Sequence, residues 1–284
     1  MKFTKLHGLG NDFLVVRPDG ELDASRAGEL ARRICERHTG VGADGIVLVG
    51  LKDPAGKTAA FRVYNPDGSE AEMCGNGLRC AMAFLVHEGK VSVSSGPVVF
   101  DTAAGRRVCE VKNKSGLAYE IRTDMGTPRF GSADIPFDDG QVHEKLVDHP
   151  LIIGDKRYGI TCVSMGNPHC DVFVDHFPAR VEWHATGREI EVHPFFPNRT
   201  NVEFIHVLNR GEIEVLFWER GVGETLASGT GSSAAAVASM LRGLTDRTVK
   251  VRTNLGSLTV DWSSDGTVFQ TGPAEVVCEG DYLG

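Results

Sequence analysis

Two glycine-rich stretches of this 284-residue chain contain residues that could move protons. The first, SEAEMCGNGLRCAMAF, carries Cys74, and the second, GETLASGTGSSAAAV, carries Ser228 at the corresponding place. Each runs from glycine and polar residues into an apolar helical segment, which is the pattern of an anion-binding helix N-terminus. A thiol at such a position is favoured as the thiolate, and a thiolate can act as a base. We therefore interpret Cys74 and Ser228 as a pair of acid–base candidates.

The two stretches do not match the common nucleotide-binding patterns. GETLASGTGSS lacks the Gly-Lys-Ser/Thr ending of a P-loop, and neither stretch reads as G-x-G-x-x-G after a strand of a parallel βαβ unit. A small carboxylate held between two helix N-termini fits the pair better. Two acid–base groups on opposite faces of one carbon are the geometry of a racemase, in which one removes a proton and the other returns it.

Other residues recur at matching distances from Cys74 and from Ser228, and this recurrence indicates two similar halves. Asn65 and Glu219 each lie nine residues before the thiol or the hydroxyl, at the end of a strand-like run. A glutamate lies four residues before each, and glycines lie one and three residues after each. Gly-Asn pairs upstream and Thr-x-x-Gly segments downstream also recur at nearly constant spacing.

The periodicity predicts many short strands and few helices. Alternating or β-branched runs such as KFTKLHG, AFRVYN and EIEVLFWE predict strands, and helices are expected at about residues 24–38, 75–87 and 229–243. The segment SSAAAVASML is small or apolar nearly all round, as in a helix enclosed by a sheet. The sequence therefore predicts an α+β protein of two pseudo-symmetric domains, each a mainly antiparallel sheet wrapped around a central helix.

The turn-rich segment DMGTPRFG has no strong periodicity and predicts the domain boundary. We expect an N-terminal half of residues 1–127 and a C-terminal half of residues 128–272, with residues 273–284 returning to the first half. The active site is expected in the cleft between the two halves.

Composition excludes several other classes of protein. The net charge of −8 argues against a nucleic-acid partner. No apolar run approaches the roughly 20 residues that span a bilayer, and MKFTKLHGLGNDF lacks the apolar core of a secretory signal. Seven irregularly spaced cysteines favour free thiols in a reducing cytoplasm over a disulfide framework. Because no CxxC pair exists, no structural zinc site and no other metal is predicted.

Several long motifs carry a resemblance that covers nearly the whole chain. MKFTKLHGLGNDF, RHTGVGADG, YNPDGSEAEMCGNGLRC, MGNPHC, RTNVEF and WERGVGETLASGTGSSAAA are similar to those of diaminopimelate epimerases. The resemblance implies a cofactor-independent isomerase that interconverts LL- and meso-diaminopimelate for lysine and peptidoglycan biosynthesis. It also implies a homodimer whose two pseudo-symmetric α+β domains close over the substrate.

The resemblance assigns roles residue by residue. Cys74 matches one of the family's two catalytic cysteines, and Ser228 occupies the position of the other. Backbone donors at four positions would hold the carboxylate at the reacting centre, six further side chains would read the distal amino-acid head, and one histidine would tune a thiol. The backbone donors are Gly75, Asn76, Gly229 and Thr230. The side chains that would read the distal head are Asn11, Asn65, Asn167, Asn201, Glu219 and Arg220. The histidine is His169.

Ser228 departs from the family pattern, which reads A-C-G-T-G where this chain has ASGTG. A hydroxyl is a much weaker acid than a thiol, and its oxyanion is hard to populate without a base. Three accounts stay open: a laboratory replacement of a cysteine, a native epimerase with a Cys/Ser pair, or a half-site or other one-base isomerase or dehydratase on the same scaffold. A catalytically inactive amino-acid-binding homologue is the alternative outside the enzymes. Proline-type racemases and phenazine-type isomerases share the scaffold, so substrate breadth is open as well.

Overall fold

The structure, a computed structural model, describes residues 1–18 and 24–284. The chain divides into a first unit, Met1–Asp124 with Thr271–Gly284, and a second unit, Met125–Gln270. The predicted boundaries, after residues 127 and 272, lie a few residues further along the chain than these.

The first unit is built mainly from strands. Its elements are β1 (Lys2–Gly8), β2 (Asn11–Val16), α1 (Ala24–Ile34), β3 (Gly45–Leu51), β4 (Thr58–Tyr64), β5 (Glu70–Ala71), α2 (Gly75–His87), a short 3-10 helix (Val93–Ser95), β6 (Val98–Thr102), β7 (Gly105–Ser115) and β8 (Ala118–Gly126). Strand β2 runs parallel to β3, and β4 runs parallel to β6. The pairs β1–β2, β3–β4, β4–β5, β6–β7 and β7–β8 are antiparallel.

The second unit repeats this order of elements after one additional strand. Its elements are β9 (His149–Ile153), β10 (Lys156–Ser164), β11 (Pro168–Phe173), α3 (Arg180–Glu191), β12 (Asn201–Asn209), β13 (Glu212–Glu219), β14 (Gly223–Thr225), α4 (Gly229–Leu241), β15 (Thr248–Thr253), β16 (Gly256–Trp262) and the start of β17 (Val268–Asp281). From Thr271 onward β17 belongs to the first unit, where it pairs with β1. Strand β11 runs parallel to β12, and β13 runs parallel to β15. The pairs β9–β10, β10–β11, β12–β13, β13–β14 and β15–β16 are antiparallel. The protein is therefore of the α+β class, and its sheet is mainly antiparallel.

The helices α2 and α4 lie inside their units. All residues of α2 from Gly75 to Val86 are buried, and so are those of α4 from Gly231 to Ser239. On α2 the large apolar side chains Leu78, Met82 and Leu85 enter the core, and burial of each contributes about 1.5–3 kcal/mol. A helix buried on every side cannot be strongly amphipathic, and this explains the small or apolar composition of SSAAAVASML, from which the enclosure of α4 was predicted.

The hairpin between β1 and β2 fixes the position of Asn11. Leu9 and Gly10 both have left-handed backbone conformations, with φ of 52° and 77°, and Gly8 pairs with Asn11 across the turn. A two-residue turn with two positive φ angles matches the right-handed twist of the flanking strands. Glycine takes this conformation without strain, whereas Leu9 is held in it by the surrounding structure.

Two helices differ from the prediction. Helix α3 was not predicted, although Trp183, Thr186 and Ile190 are buried at helical spacing; the charged residues and the glycine between them concealed the pattern. Helix α1 ends at Ile34 rather than at residue 38. It ends there because the Glu36 carboxylate accepts the backbone N–H groups of the next turn, and this turn replaces a continued helix.

None of the helices in residues 1–18 and 24–284 is long and apolar enough to cross a membrane.

Candidate active site

Cys74 is the N-cap residue of α2. Its backbone is extended, with φ −144° and ψ 116°, and its Sγ accepts the backbone N–H of Gly77 at 3.3 Å. The side chain is half-buried. The cap hydrogen bond and the positive end of the helix dipole both favour negative charge on the sulfur. The Cys74 thiol therefore lies where negative charge on its sulfur is stabilised, as its predicted role of proton acceptor requires.

Ser228 caps α4 in the same way. Its backbone has φ −132° and ψ 128°, and its Oγ accepts the N–H of Gly231 at 3.2 Å. It too is half-buried. Thiol and hydroxyl thus occupy equivalent positions relative to their own helices, so the difference between them is chemical and not geometric.

Each helix start leaves two backbone donors available. The N–H groups of Gly75 and Asn76 have no acceptor in the part of the chain that the structure describes, and the same holds for Gly229 and Thr230. Such first-turn donors, together with the helix dipole, form an anion-binding site. The four positions predicted to hold a carboxylate are therefore two pairs of unengaged donors.

An asparagine from the neighbouring strand supports each helix start. In the first unit, Asn76 Nδ2 donates to Asn11 Oδ1 at 3.0 Å, and Asn11 Nδ2 donates to Asp44 at 2.9 Å. In the second unit, Asn167 Nδ2 donates to Thr230 Oγ1 at 3.3 Å. The structure therefore brings Asn11 and Asn167 to the two loops that the sequence singled out.

The family model of diaminopimelate epimerase matches residues 3–131 and 161–277 of this chain. The chain belongs to the diaminopimelate epimerase family. Proteins named diaminopimelate epimerase from Pelotomaculum thermopropionicum and Desulforudis audaxviator are each 45% identical to it, over 99% and 100% of this chain and 99% of theirs. One from Moorella thermoacetica is 42% identical over 99% of both chains.

Solved structures show the same fold at low sequence identity. A hydroxyproline epimerase from Agrobacterium vitis with bound trans-4-hydroxy-L-proline has a TM-score of 0.69 at 16% identity, covering 99% of this chain and 91% of that one. A phenazine biosynthesis protein from Bacillus anthracis has a TM-score of 0.69 at 17% identity, covering 100% and 99%. These likenesses establish the fold alone.

The second unit of this diaminopimelate epimerase family member has a carboxyl pair where the first has a valine pair. Val15 faces Val47 across β2 and β3, and Asp171 faces Glu203 across β11 and β12. All four side chains are buried. Burial raises the pKa of both carboxyl groups well above the usual range, and the nearby Glu203 raises the pKa of Asp171 further. Burial therefore favours the uncharged form of both carboxyl groups.

His169 links this pair to the helix start. Because Asn167 donates its amide N–H to Thr230, its Oδ1 is left to accept from His169 Nε2 at 2.9 Å. A neutral imidazole protonated at Nε2 accepts at Nδ1, and Glu203 Oε1 lies 2.8 Å from that atom. Burial lowers the pKa of His169 to about 3 and raises the pKa of Glu203 well above its usual range, so burial disfavours the charged form of both partners.

A chain of hydrogen bonds thus runs from the buried carboxyl pair through His169 and Asn167 to Thr230, two residues from Ser228. No direct contact joins His169 to Ser228 within the described residues. The predicted tuning role of His169 stays a prediction. The hydrogen bonds through Asn167 and Thr230 are its indirect connection to the neighbourhood of Ser228.

The residues predicted to read the distal head lie in several environments. Glu219 accepts from Thr225 Oγ1 at 2.6 Å, and the exposed Arg220 donates from its guanidinium to the Asn198 carbonyl at 3.2 Å. Asn201 is engaged at both ends of its amide: it donates to Pro168 O at 2.8 Å and accepts the Arg220 N–H at 3.0 Å. Asn201 therefore connects β11 to the end of β13. Its predicted contact with a ligand stays a prediction.

Asn65 is exposed and donates to Ser69 within its own turn, at 3.0 Å. Within the described residues, no hydrogen bond of this side chain connects it to the Cys74 loop. The hydrogen bonds of the described residues therefore neither support nor contradict the predicted contact of Asn65 with a ligand.

Sequence reasoning missed Asp171 and Glu203. The signal was available, because each is a charged residue inside an otherwise apolar strand, CDVFV and NVEFIHV. Such residues are almost never fully buried unless they are paired, so a strand whose pattern buries one indicates a polar site within the core.

The two glycines that donate to the caps differ in the space around them. A Cβ added at Gly231 would lie 2.6 Å from Glu203 Oε1 and 3.0 Å from Phe217, whereas at Gly77 the nearest atoms are 3.4 Å away. We expect Gly231→Ala to lower the free energy of unfolding by about 1–3 kcal/mol because the buried carboxyl must move. The matched Gly77→Ala should change it by less than about 1 kcal/mol. Urea unfolding of both variants tests this, and equal losses would contradict it.

Proposed function

We propose that this chain interconverts LL- and meso-diaminopimelate by removing the α-proton from one face and returning a proton to the other. The observation that carries the proposal is the equivalent capping geometry of Cys74 and Ser228, each beside two unengaged backbone donors. Family membership supplies the substrate. No cofactor is invoked in this proposal.

Two pseudo-symmetric domains, of residues 1–127 with 273–284 and of residues 128–272, would each supply one half of the site. The matching order and sense of strand pairing in the two units supports this. In each half the helix start provides the same parts, namely a capping acid–base group and two N–H donors. We expect the two halves to bind one substrate carboxylate from opposite sides of its α-carbon.

The chemistry of proton removal depends on these donors. An α-proton beside a carboxylate is far less acidic than a free thiol, whose ordinary pKa is about 8.5. The N–H groups of Gly75, Asn76, Gly229 and Thr230 would stabilise the charge that develops on the carboxylate as the proton leaves. Because these donors are fixed by the helices, little reorganisation is needed as the charge develops.

The distal amino-acid head would be recognised by complementary charge. Glu219 can pair with an ammonium group, and Arg220 can bind a carboxylate through two parallel hydrogen bonds. Asn11, Asn65 and Asn167 each offer a donor and an acceptor to a zwitterion. The exposure of the Arg220 guanidinium, which has one backbone contact at 3.2 Å, suits this role.

Ser228 favours a second, more limited activity. Cys74 alone can remove the α-proton of one stereoisomer, exchange it with solvent and return it to the same face. Inversion also requires the Ser228 hydroxyl as donor in one direction and its oxyanion as base in the other. Since the equilibrium constant between the stereoisomers ties the two values of kcat/KM together, a poor base on one face slows inversion in both directions. We expect exchange from one stereoisomer to be faster than inversion.

Incubation with each stereoisomer in D2O separates these functions. Deuterium at the α-carbon is followed by mass spectrometry, and inversion is followed by chiral chromatography. Exchange from one stereoisomer with slower inversion supports the Cys/Ser pair. Exchange without any inversion identifies a half-site enzyme. Binding of diaminopimelate without exchange from either stereoisomer identifies an inactive binding protein and refutes the proposed epimerase.

The cellular setting follows from the chemistry. A catalytic thiol requires a reducing compartment, and all seven cysteines are free in the structure. We therefore place the activity in the cytoplasm, in lysine and peptidoglycan precursor synthesis. The homodimer implied by the family resemblance is part of this proposal.

A further inference from the structure

Three side chains that bind metals in other proteins converge in the segment leading into β9. They are Asp139, His143 and His149, and their ligand atoms all lie within 4.8 Å of one another. Their side chains are only 10%, 19% and 20% exposed. None of them belongs to the proton-transfer site described above.

The separations between the atoms fit a single small cation. His143 Nε2 lies 3.0 Å from Asp139 Oδ2, and His149 Nε2 lies 3.4 Å from the same oxygen. Two ligands of a tetrahedral Zn²⁺ ion, each about 2.0–2.2 Å from the metal, lie about 3.3–3.5 Å apart. Small adjustments of the three side chains would therefore complete a coordination site.

The backbone holds the ligand-bearing residues in place. Gln141 N–H donates to Asp139 Oδ1 at 3.0 Å, and this orients the carboxylate. Ser132 and His143 exchange two hydrogen bonds: the His143 N–H donates to the Ser132 hydroxyl at 3.1 Å, and the Ser132 N–H donates to the His143 carbonyl at 2.9 Å. His149 is the first residue of β9, which pairs with β10.

Aromatic rings surround the two imidazoles. Phe137 packs edge-on against His143 and His149, with ring centroids 6.0 and 5.4 Å away. Phe195 and Phe196 pack on Phe137 in turn, at 5.5 and 5.3 Å. An apolar shell of this kind limits water access and strengthens the binding of a cation by the groups inside it.

We propose that Asp139, His143 and His149 bind one Zn²⁺ ion, with water as the fourth ligand. Two imidazoles and a carboxylate suit zinc and its neighbours among the transition metals, whereas Mg²⁺ and Ca²⁺ prefer oxygen ligands alone. The ion would fix the segment from Asp139 to His149 against β10. The sequence prediction of no metal considered cysteine spacing and did not consider this His-Asp-His set.

Equilibrium dialysis of the EDTA-treated full chain against Zn²⁺ tests the site. The expected result is one tightly bound equivalent of Zn²⁺ in the unmodified chain. In His149→Gln and in Asp139→Asn the dissociation constant should be at least about tenfold higher. Zn²⁺ should also raise the Tm of the unmodified chain more than that of either variant, because the ion binds the folded state. Circular dichroism in EDTA establishes that the variants fold.

Two control variants assign the ion to this site. His38→Gln removes an exposed histidine, and Cys74→Ala removes the thiol most able to compete for zinc; both should retain the bound equivalent. Loss of binding in Cys74→Ala with retention in His149→Gln would overturn the proposal. So would the absence of saturable binding in the unmodified chain, which would identify the three side chains as a hydrogen-bonded set without an ion.

Discussion

Replacement of Cys74 by alanine is expected to eliminate α-proton exchange from both stereoisomers of diaminopimelate and to eliminate inversion. In the proposed mechanism the Cys74 thiol, which caps α2, is the base on one face, so its loss removes that base. General acid–base catalysis contributes roughly 10²–10⁴-fold to a rate, and a loss of at least that size is expected in kcat/KM. Mass spectrometry after incubation in D2O measures it.

Cys74→Ser separates the base from the helix cap. Ser228 shows that a serine caps such a helix with the same backbone conformation and an oxygen 3.2 Å from the donor. The Cys74→Ser variant should therefore retain the stability of the unmodified chain and still lose exchange, whereas Cys74→Ala should also lose about 1 kcal/mol of cap stability.

Cys278→Ala is the matched control for thiol chemistry, because Cys278 is exposed and caps neither α2 nor α4. It should leave exchange and inversion unchanged. Full exchange activity in Cys74→Ala would refute the role assigned to the thiol.

The helix starts could be predicted from the sequence because their determinants are local. Glycines at fixed distances from Cys74 and Ser228, followed by small or apolar residues, define a cap and a buried helix without any knowledge of the remainder of the chain. The recurrence of this pattern also anticipated that the two units would repeat one order of elements, which the strand pairings follow.

The polar interior of the second unit could not be predicted in the same way. Its existence depends on parallel pairing of β11 with β12, which places Asp171 opposite Glu203 and His169 opposite Asn201. Parallel partners are separated by many residues along the chain, so the register of such a pair is not encoded by neighbouring residues. The cap residues were therefore predictable from local sequence, whereas the pairing of the buried groups behind one of them was not.

This asymmetry bears on the chemistry of Ser228. Behind Cys74 the corresponding strand pair is Val15 and Val47, and the buried Arg79 donates to Asn76 Oδ1 at the start of α2. Behind α4, Glu203 Oε1 lies 2.6 Å from the position that a Cβ at Gly231 would take, and it shares a hydrogen bond with His169. A hydroxyl needs help from a base more than a thiol does. A buried carboxyl–imidazole pair thus lies on the side that has the weaker acid–base residue.

Replacement of Ser228 by cysteine is expected to raise kcat/KM for inversion by roughly 10²–10⁴-fold in both directions. A thiolate is populated near neutral pH far more readily than a serine oxyanion, so the second face would gain a working base. The cap should be preserved, because Cys74 accepts its own Gly77 N–H at 3.3 Å in the same backbone conformation. Exchange from the stereoisomer served by Cys74 should change little.

Ser228→Ala completes the comparison by removing the hydroxyl. If the hydroxyl is the proton donor on the second face, inversion should fall below that of the unmodified chain while exchange at the Cys74 face is retained. Equal inversion in Ser228→Ala and the unmodified chain would show that another donor, such as water, protonates that face. A Ser228→Cys variant with no gain in inversion would show that the second face is limited by something other than its acid–base group. That result would contradict the assignment of residue 228 as the partner of Cys74.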